Sequence, residues 1–310
     1  MSRYFEFFGL ERDPFLDTAD PYFYCEFGAL RKAKDRLYDS VDASRGLTVI
    51  LGDPGTGKTS LSGALEQELL ADERVVLAKI LDPAFATEVE FLVAIGRVFG
   101  LALPPRSSAA LKNALKNFFF ETAILEKRTL VLAIDEAQNL SDENLEALRL
   151  LLNYHVPQRK LLNILLFGQS ELERRIHEKG NLEDRVDGWI RLNRLDPAMA
   201  SAVLDFRLTK AGILPERQLF TADARALLIE AAEGLPRRLT MIAHVAMQEA
   251  SDRASTLVNE DHVRSAMLIR GIAERPAPAS APRIDAGASA PITPSEPRGL
   301  FSRLFARRSS

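Results

Sequence analysis

A single cysteine, Cys25, in 310 residues excludes an internal disulfide, and the four histidines (His155, His177, His244, His262) are scattered without metal-ligand spacing. A disulfide-stapled fold and a zinc module are therefore not expected. Long apolar runs are missing too. The hydrophobic stretches are strand-length, well short of the ~20 residues a membrane-spanning helix needs, and the N-terminus lacks a signal-peptide pattern. Such a chain is expected to stay in the cytoplasm unless something recruits it. A net charge of −3 gives no global attraction to nucleic acid, although such a sum would hide a local basic patch. What is present is apolar material, 46% hydrophobic against 27% charged, enough for a sizeable core and two domains.

Residues 52–59 read Gly52-Asp53-Pro54-Gly55-Thr56-Gly57-Lys58-Thr59, a full match to the phosphate-binding loop G-x-x-x-x-G-K-[ST], with Ser60 following. The context is the one this motif requires. Leu47, Val49, Ile50 and Leu51 form a β-prone run before it, and Leu61, Leu65 and Leu69 recur at helical spacing after it. Glycines let consecutive N–H groups curl around one anion while the positive end of a helix dipole faces the same point. Lys58 is then placed for the β- and γ-phosphates of ATP and the Thr59 hydroxyl for Mg²⁺.

A second apolar run, 129–134, ends in Asp135-Glu136-Ala137-Gln138-Asn139, a Walker B pattern. Asp135 at a strand's carboxyl end suits the metal, because Mg²⁺ prefers carboxylate and phosphate oxygens. Glu136 is then left to deprotonate the attacking water. Two acids also begin many solvated helices; the upstream phosphate loop is what favours the catalytic assignment.

Strand and helix alternate through the first two thirds of the chain. Residues 75–80 read as a strand, 88–99 and 109–125 as helices, 161–167 as a strand and 190–193 as a fifth. Ser141 is placed to cap a helix carrying Leu145, Leu148 and Leu152 on one face. Such alternation predicts an α/β fold with a parallel sheet covered by helices on both faces. From about Pro197 the β signals stop, and helical stretches near 197–211, 221–233, 236–251 and 259–267 read as a small lid. Gln169, at the end of a strand beside the Walker B strand, is placed to meet the γ-phosphate or the attacking water. Gly234-Leu235-Pro236-Arg237-Arg238 puts a glycine stop, a proline start and two arginines at a helix N-terminus. Arginines there oppose the dipole, which points to an anionic partner such as nucleotide phosphate; the alternative is a solvated basic turn, more so for Arg238.

Together these blocks resemble the AAA+ ATPases of the ExeA/GspA and MshM group, over roughly residues 4–268. The resemblance rests on Tyr4-Phe5-Glu6-Phe7-Phe8-Gly9-Leu10, Asp13-Pro14-Phe15, the phosphate loop, Ile134 to Leu140, Gly168 to Leu172 and Gly234 to Leu239. It implies an AAA+ P-loop NTPase with a helical lid, acting as an oligomer in bacterial secretion or type IV pilus assembly. Lys58 and Thr59 then match Walker A, Asp135 and Glu136 Walker B, Gln169 sensor 1 and Arg237 sensor 2. Arg185, in Leu182-Glu183-Asp184-Arg185-Val186, falls near the family's arginine-finger segment, though its acidic neighbours also fit a local salt bridge. A finger would act in the neighbouring subunit's site. Phe5, Phe7, Phe8 and Phe15 are expected to anchor the N-terminus on the ATPase core.

The expected domains are 1–45 packed on the core, 46–196 the ATPase, 197–272 the lid, 273–298 a disordered linker and 299–310 a docking tail. ExeA-type members continue into a membrane span and a peptidoglycan-binding region, and neither is expected from residues 273–310. Instead, residues 276–297 hold six prolines and six alanines, a composition that cannot bury a core. Leu300, Phe301, Leu304 and Phe305 then share a helical face amid arginines. Burying them is worth roughly 1.5–3 kcal/mol each, offset by about 1.5 kcal/mol per ordered residue, so docking to an envelope-assembly protein or to the inner-membrane surface should be weak and reversible. Two other functions fit the sequence: a DNA-transaction ATPase, disfavoured by the slightly acidic charge and the lack of a DNA-binding module after the lid, and a non-hydrolysing switch, which Glu136 argues against.

Overall fold

Alternate residues of each central strand bury on opposite faces of one sheet, and this decides which helices cover it. The computed structural model describes residues 4–16, 20–104, 107–157, 159–214 and 216–273. Strands β1 (Leu47–Gly52), β2 (Val75–Ile80) and β3 (Thr129–Ile134) are followed by a short antiparallel hairpin of β4 (His155–Val156) and β5 (Arg159–Lys160), then β6 (Asn163–Gly168) and β7 (Val186–Leu192). Five of these form a parallel sheet in the order β2-β3-β6-β1-β7. Leu47, Val49, Leu51, Leu130, Leu132, Ile134, Ile164 and Leu166 point to one face. That face is covered by α4 (Glu88–Val98), α5 (Ser108–Phe120), α6 (Asp142–Leu151), α7 (Ser170–His177) and α8 (Gly180–Glu183). Ile50, Val131, Ala133, Leu165 and Phe167 point the other way, onto α2 (Gly28–Asp42) and α3 (Lys58–Leu70). Leu61, Leu65 and Leu69 of α3 are each at most 2% exposed, and burying each contributes roughly 1.5–3 kcal/mol.

The lid comprises α9 (Pro197–Lys210), α10 (Ala222–Ala232), α11 (Pro236–Asp252) and α12 (Glu260–Ile269). Its ends are set locally. Asp196, Thr221 and Asn259 cap α9, α10 and α12 with side-chain oxygens, and prolines open α9 and α11.

Four expectations change. The fifth strand begins at Val186, four residues before its predicted start, because a half-buried edge strand tolerates Asp187 and Gly188. The strand expected from Leu161 begins at Asn163; Leu161 and Leu162 are buried in the preceding loop. The helix expected over 109–125 ends as α-helix at Phe120 and finishes in a π-helical turn, Glu121–Leu125. Finally, the aromatic opening packs on the lid rather than on the sheet. Helix α1 (Tyr4–Phe7) lies against α11, and Phe5, Phe8, Leu10, Phe15, Phe23 and Cys25 share one apolar cluster with α9–α12. Of the first 45 residues, chiefly α2 covers the sheet. The linker expected over 273–298, apart from Ala273, and the tail over 299–310 lie outside the described residues.

Candidate nucleotide site

The phosphate loop takes its shape from two glycines, Gly55 at φ +85° and Gly57 at φ +100°, values that L side chains rarely adopt. Thr56, 1% exposed, fastens the turn: its hydroxyl donates to the Asp53 carbonyl at 2.8 Å and its N–H to the same oxygen at 3.2 Å. Helix α3 starts at once, so its first N–H groups face the loop. Lys58 is only 6% exposed, and its ammonium donates to the carbonyls of Gly52 at 2.8 Å and Asp53 at 3.3 Å. Burial pulls the Lys58 pKa down, against the pull of the Glu136, Asp135 and Asp53 carboxylates. A buried ammonium bonded only to neutral carbonyls is a strong attractor for phosphate.

Asp135 is 4% exposed at the end of β3; its N–H donates to the Ile80 carbonyl at 2.8 Å and its Oδ1 accepts the Glu136 N–H at 3.0 Å. Burial raises its pKa, with that N–H working in the opposite direction. Among the described residues no cation stands within ion-pair distance of Asp135, although Lys58 and Lys79 act on it from further off. Asp135, a buried carboxylate without a directly bonded cation, and the exposed hydroxyl of Thr59 are oxygen donors of the kind a hard divalent ion takes.

A cavity of about 370 Å³ joins these parts. It is lined by Pro54, Gly55, Thr56, Gly57, Lys58, Thr59 and Ser60 from the loop and α3, and by Glu136, Gln169 and Arg237 from β3, β6 and the lid. Gly52, Asp53, Asp135 and Arg185 are not on its wall. Gln169 is the residue before α7, and its N–H donates to Gln138 Oε1 at 3.2 Å. Arg237 stands in the first turn of α11, where its N–H donates to the Gly55 carbonyl at 3.3 Å, so lid and loop touch directly. Gly234 makes this approach possible: its φ is +73°, and a Cβ there would stand 2.4 Å from the Leu195 carbonyl oxygen. Arg238 finds its anion within the protein, pairing with Glu233 at 3.1 Å. Arg194 extends that cluster, reaching Asp53 at 3.4 Å and Glu233 at 3.6 Å.

Arg185 follows α8, half-buried, its N–H donating to the Leu182 carbonyl at 2.9 Å. The local salt bridge considered for it does not form with Glu183, which pairs with His177 at 2.7 Å.

The other end of the cavity is largely apolar and was not anticipated. Leu16, Phe23, Tyr24, Cys25 and Leu30 from the opening segment meet Val203, Arg207 and Thr240 from the lid. Arg207 lies 5.1 Å over the Phe23 ring and donates to the Pro14 carbonyl at 3.2 Å, and its burial lowers its pKa. Burial also pushes the Cys25 thiol up to about 12. The available signal was the aromatic run from Tyr22 to Tyr24, but only tertiary packing places it beside a loop thirty residues away.

Residues 41–176 match the AAA domain family. General secretion pathway protein A of Aeromonas hydrophila is 32% identical over 275 residues, covering 87% of this chain; the chain spans about half of that protein, 49%. Among solved structures, Aeropyrum pernix ORC1 in complex with DNA superposes with a TM-score of 0.62 at 18% identity, over 84% of this chain and 69% of that one. The ORC2 protein of the same organism, in ADPNP-ADP complexes, gives 0.58 at 17% identity, over 78% and 67%. The Thermotoga maritima RuvB Holliday junction branch migration motor gives 0.54 at 15% identity, over 80% and 73%. At these identities the likeness is one of fold.

Proposed function

We propose, from the premise that this chain belongs to the AAA+ ATPases, that it binds ATP with Mg²⁺, hydrolyses it as an oligomer and serves a bacterial cell-envelope machine of the secretion or pilus kind. One observation carries the hydrolysis: a single cavity joins the phosphate loop, Glu136, Gln169 and Arg237. Loop N–H groups and Lys58 hold the β- and γ-phosphates, and the apolar end between Phe23, Tyr24 and Val203 takes the base. Thr59 and Asp135 would hold Mg²⁺, which when bound neutralises charge across the phosphates. Glu136 takes a proton from water as its oxygen attacks the γ-phosphorus; the bond to the bridging oxygen breaks, and ADP leaves with phosphate. Gln169 orients that water, and Arg237 ties the lid to the phosphates. Arg185 reaches the site of the adjoining subunit.

The envelope role is supported by the likeness to general secretion pathway protein A. We assign recruitment to residues 299–310, through a protein groove or the inner-membrane surface. The hydrolysis reading is tested by steady-state turnover of wild type and Glu136→Gln across a protein-concentration series, with and without duplex DNA. Activity that rises cooperatively with concentration, ignores DNA and falls 10²–10⁴-fold in the variant is expected. DNA stimulation would move the assignment to a DNA-transaction ATPase, and absence of turnover would refute it. Deleting 299–310 should disperse a localised fluorescent fusion at unchanged turnover; unchanged localisation refutes the recruitment.

A further inference from the structure

Glu136 adopts φ +48° and ψ +38°, a left-handed conformation that costs a residue with a Cβ about 1 kcal/mol. Such strain persists where the surroundings hold it. The holder is two residues along, in the 3₁₀ turn Ala137–Asn139. The Gln138 Nε2 donates to Glu136 Oε2, and its Oε1 accepts the Gln169 N–H at 3.2 Å. The Gln138 main-chain carbonyl accepts Arg175 Nη1 at 2.8 Å, and Arg175 Nη2 pairs with Asp142 at 2.7 Å.

We propose that Gln138 is a positioning residue for ATP hydrolysis: it locks the Glu136 carboxylate to the main chain at Gln169, so the base and the β6 end of the cavity move as one piece. This rests on the hydrolysis reading above. The chemistry of the two contacts selects an amide. An ionised carboxylate offers only acceptors and a main-chain N–H only a donor, so the group between them must donate on one side and accept on the other. Glutamate at this position would put two carboxylates together, lysine could not accept, and methionine fills the same space with neither function. With Oε2 held, Oε1 is the oxygen left to take the proton from water. The Arg175 contact extends the brace to α7, the helix that leads through α8 to Arg185.

The test uses the full chain as wild type, Gln138→Met, Gln138→Glu, Glu136→Gln and the double variant Glu136→Gln/Gln138→Met. A base displaced by about 1 Å loses on the order of 10²-fold in rate, so kcat should fall 10–100-fold in both Gln138 variants while KM and ADP affinity stay within about twofold of wild type. The double variant should be no slower than Glu136→Gln alone. Hydrogen exchange of the peptide carrying Gln169 gives an independent arm: its amide should exchange about tenfold faster in Gln138→Met and at the wild-type rate in Glu136→Gln. Wild-type turnover by Gln138→Met, or a Gln169 amide that stays protected in it, overturns the proposal. A wild type that binds nucleotide without turnover overturns the hydrolysis reading instead, and the exchange arm alone then decides whether the Gln138 lock exists.

Discussion

The contact between lid and loop depends on a single missing methyl group at Gly234, and replacing it with alanine tests how far. Two costs follow from the structure. At φ +73° an L residue gives up about 1 kcal/mol, and a Cβ placed 2.4 Å from the Leu195 carbonyl oxygen forces one of two backbone segments to move, about 2 kcal/mol more. The segment that moves also carries the Leu195 N–H bond to the Gly234 carbonyl, 2.8 Å, and the start of α11. Gly234→Ala should therefore lower stability by about 3 kcal/mol, or roughly 6–12 °C in Tm for a unit of this size. It should also weaken nucleotide binding about tenfold, because Arg237 no longer meets Gly55. The control is Gly271→Ala, where φ is +66° but nothing lies within 4 Å of the added carbon, so only the ~1 kcal/mol conformational cost applies. Differential scanning calorimetry and titration with a fluorescent ADP read both quantities. Equal losses in the two variants would show that the close approach to Leu195 contributes nothing, and unchanged ADP affinity in Gly234→Ala would disconnect the lid elbow from the site.

Burial holds the Asp135 pKa above its unfolded value, so the folded state takes up a proton more readily and this group's contribution to stability is lost as pH rises through the folded pKa. Asp135→Asn should accordingly raise Tm at pH 7 relative to pH 4 while abolishing Mg²⁺-dependent turnover; a variant less stable at pH 7 contradicts the sign. If Arg185 acts across subunits, mixing Arg185→Ala with Glu136→Gln, each inactive alone, should restore up to about a quarter of wild-type turnover, and silence at every mixing ratio rejects that role. Asp13 accepts the Tyr4 hydroxyl and the Phe15 N–H, the latter at 2.8 Å. Asp13→Ala leaves both without that acceptor, at about 1–3 kcal/mol each in chemical denaturation; a change under 0.5 kcal/mol refutes the anchoring role.

What could be seen in the sequence was whatever local chemistry determines. The strands at 47–52 and 129–134 are continuous β-prone runs, buried on both faces and ended by the phosphate loop and the Asp-Glu pair, while 75–80 is a β-prone run at the half-buried edge of the sheet. Lid helices announce themselves by caps and prolines. The start of β7 was missed because an edge strand needs no apolar alternation, and the π-helical turn at Glu121–Leu125 because it preserves helical side-chain spacing. Within the cavity, Lys58, Glu136, Gln169 and Arg237 were accessible through motif chemistry. Phe23, Cys25, Val203 and Arg207 were not, since they meet only when the two ends of the chain pack together. Gln138 sat inside a motif already recognised, yet its role emerges only from the two partners its amide touches.

The lid is made from both ends of the described chain: helices after Pro197, and the aromatic segment that precedes the sheet. The polypeptide therefore passes from lid to sheet between Phe27 and Ala33, with Leu30 touching both clusters, and back again between Leu192 and Leu195. A body tethered at one point can swivel in any direction; one tethered at two turns about the line joining them. Any rotation of this lid against the sheet is thus channelled towards a single hinge-like movement about that line, and the cavity lined by Phe23 and Val203 changes shape with it.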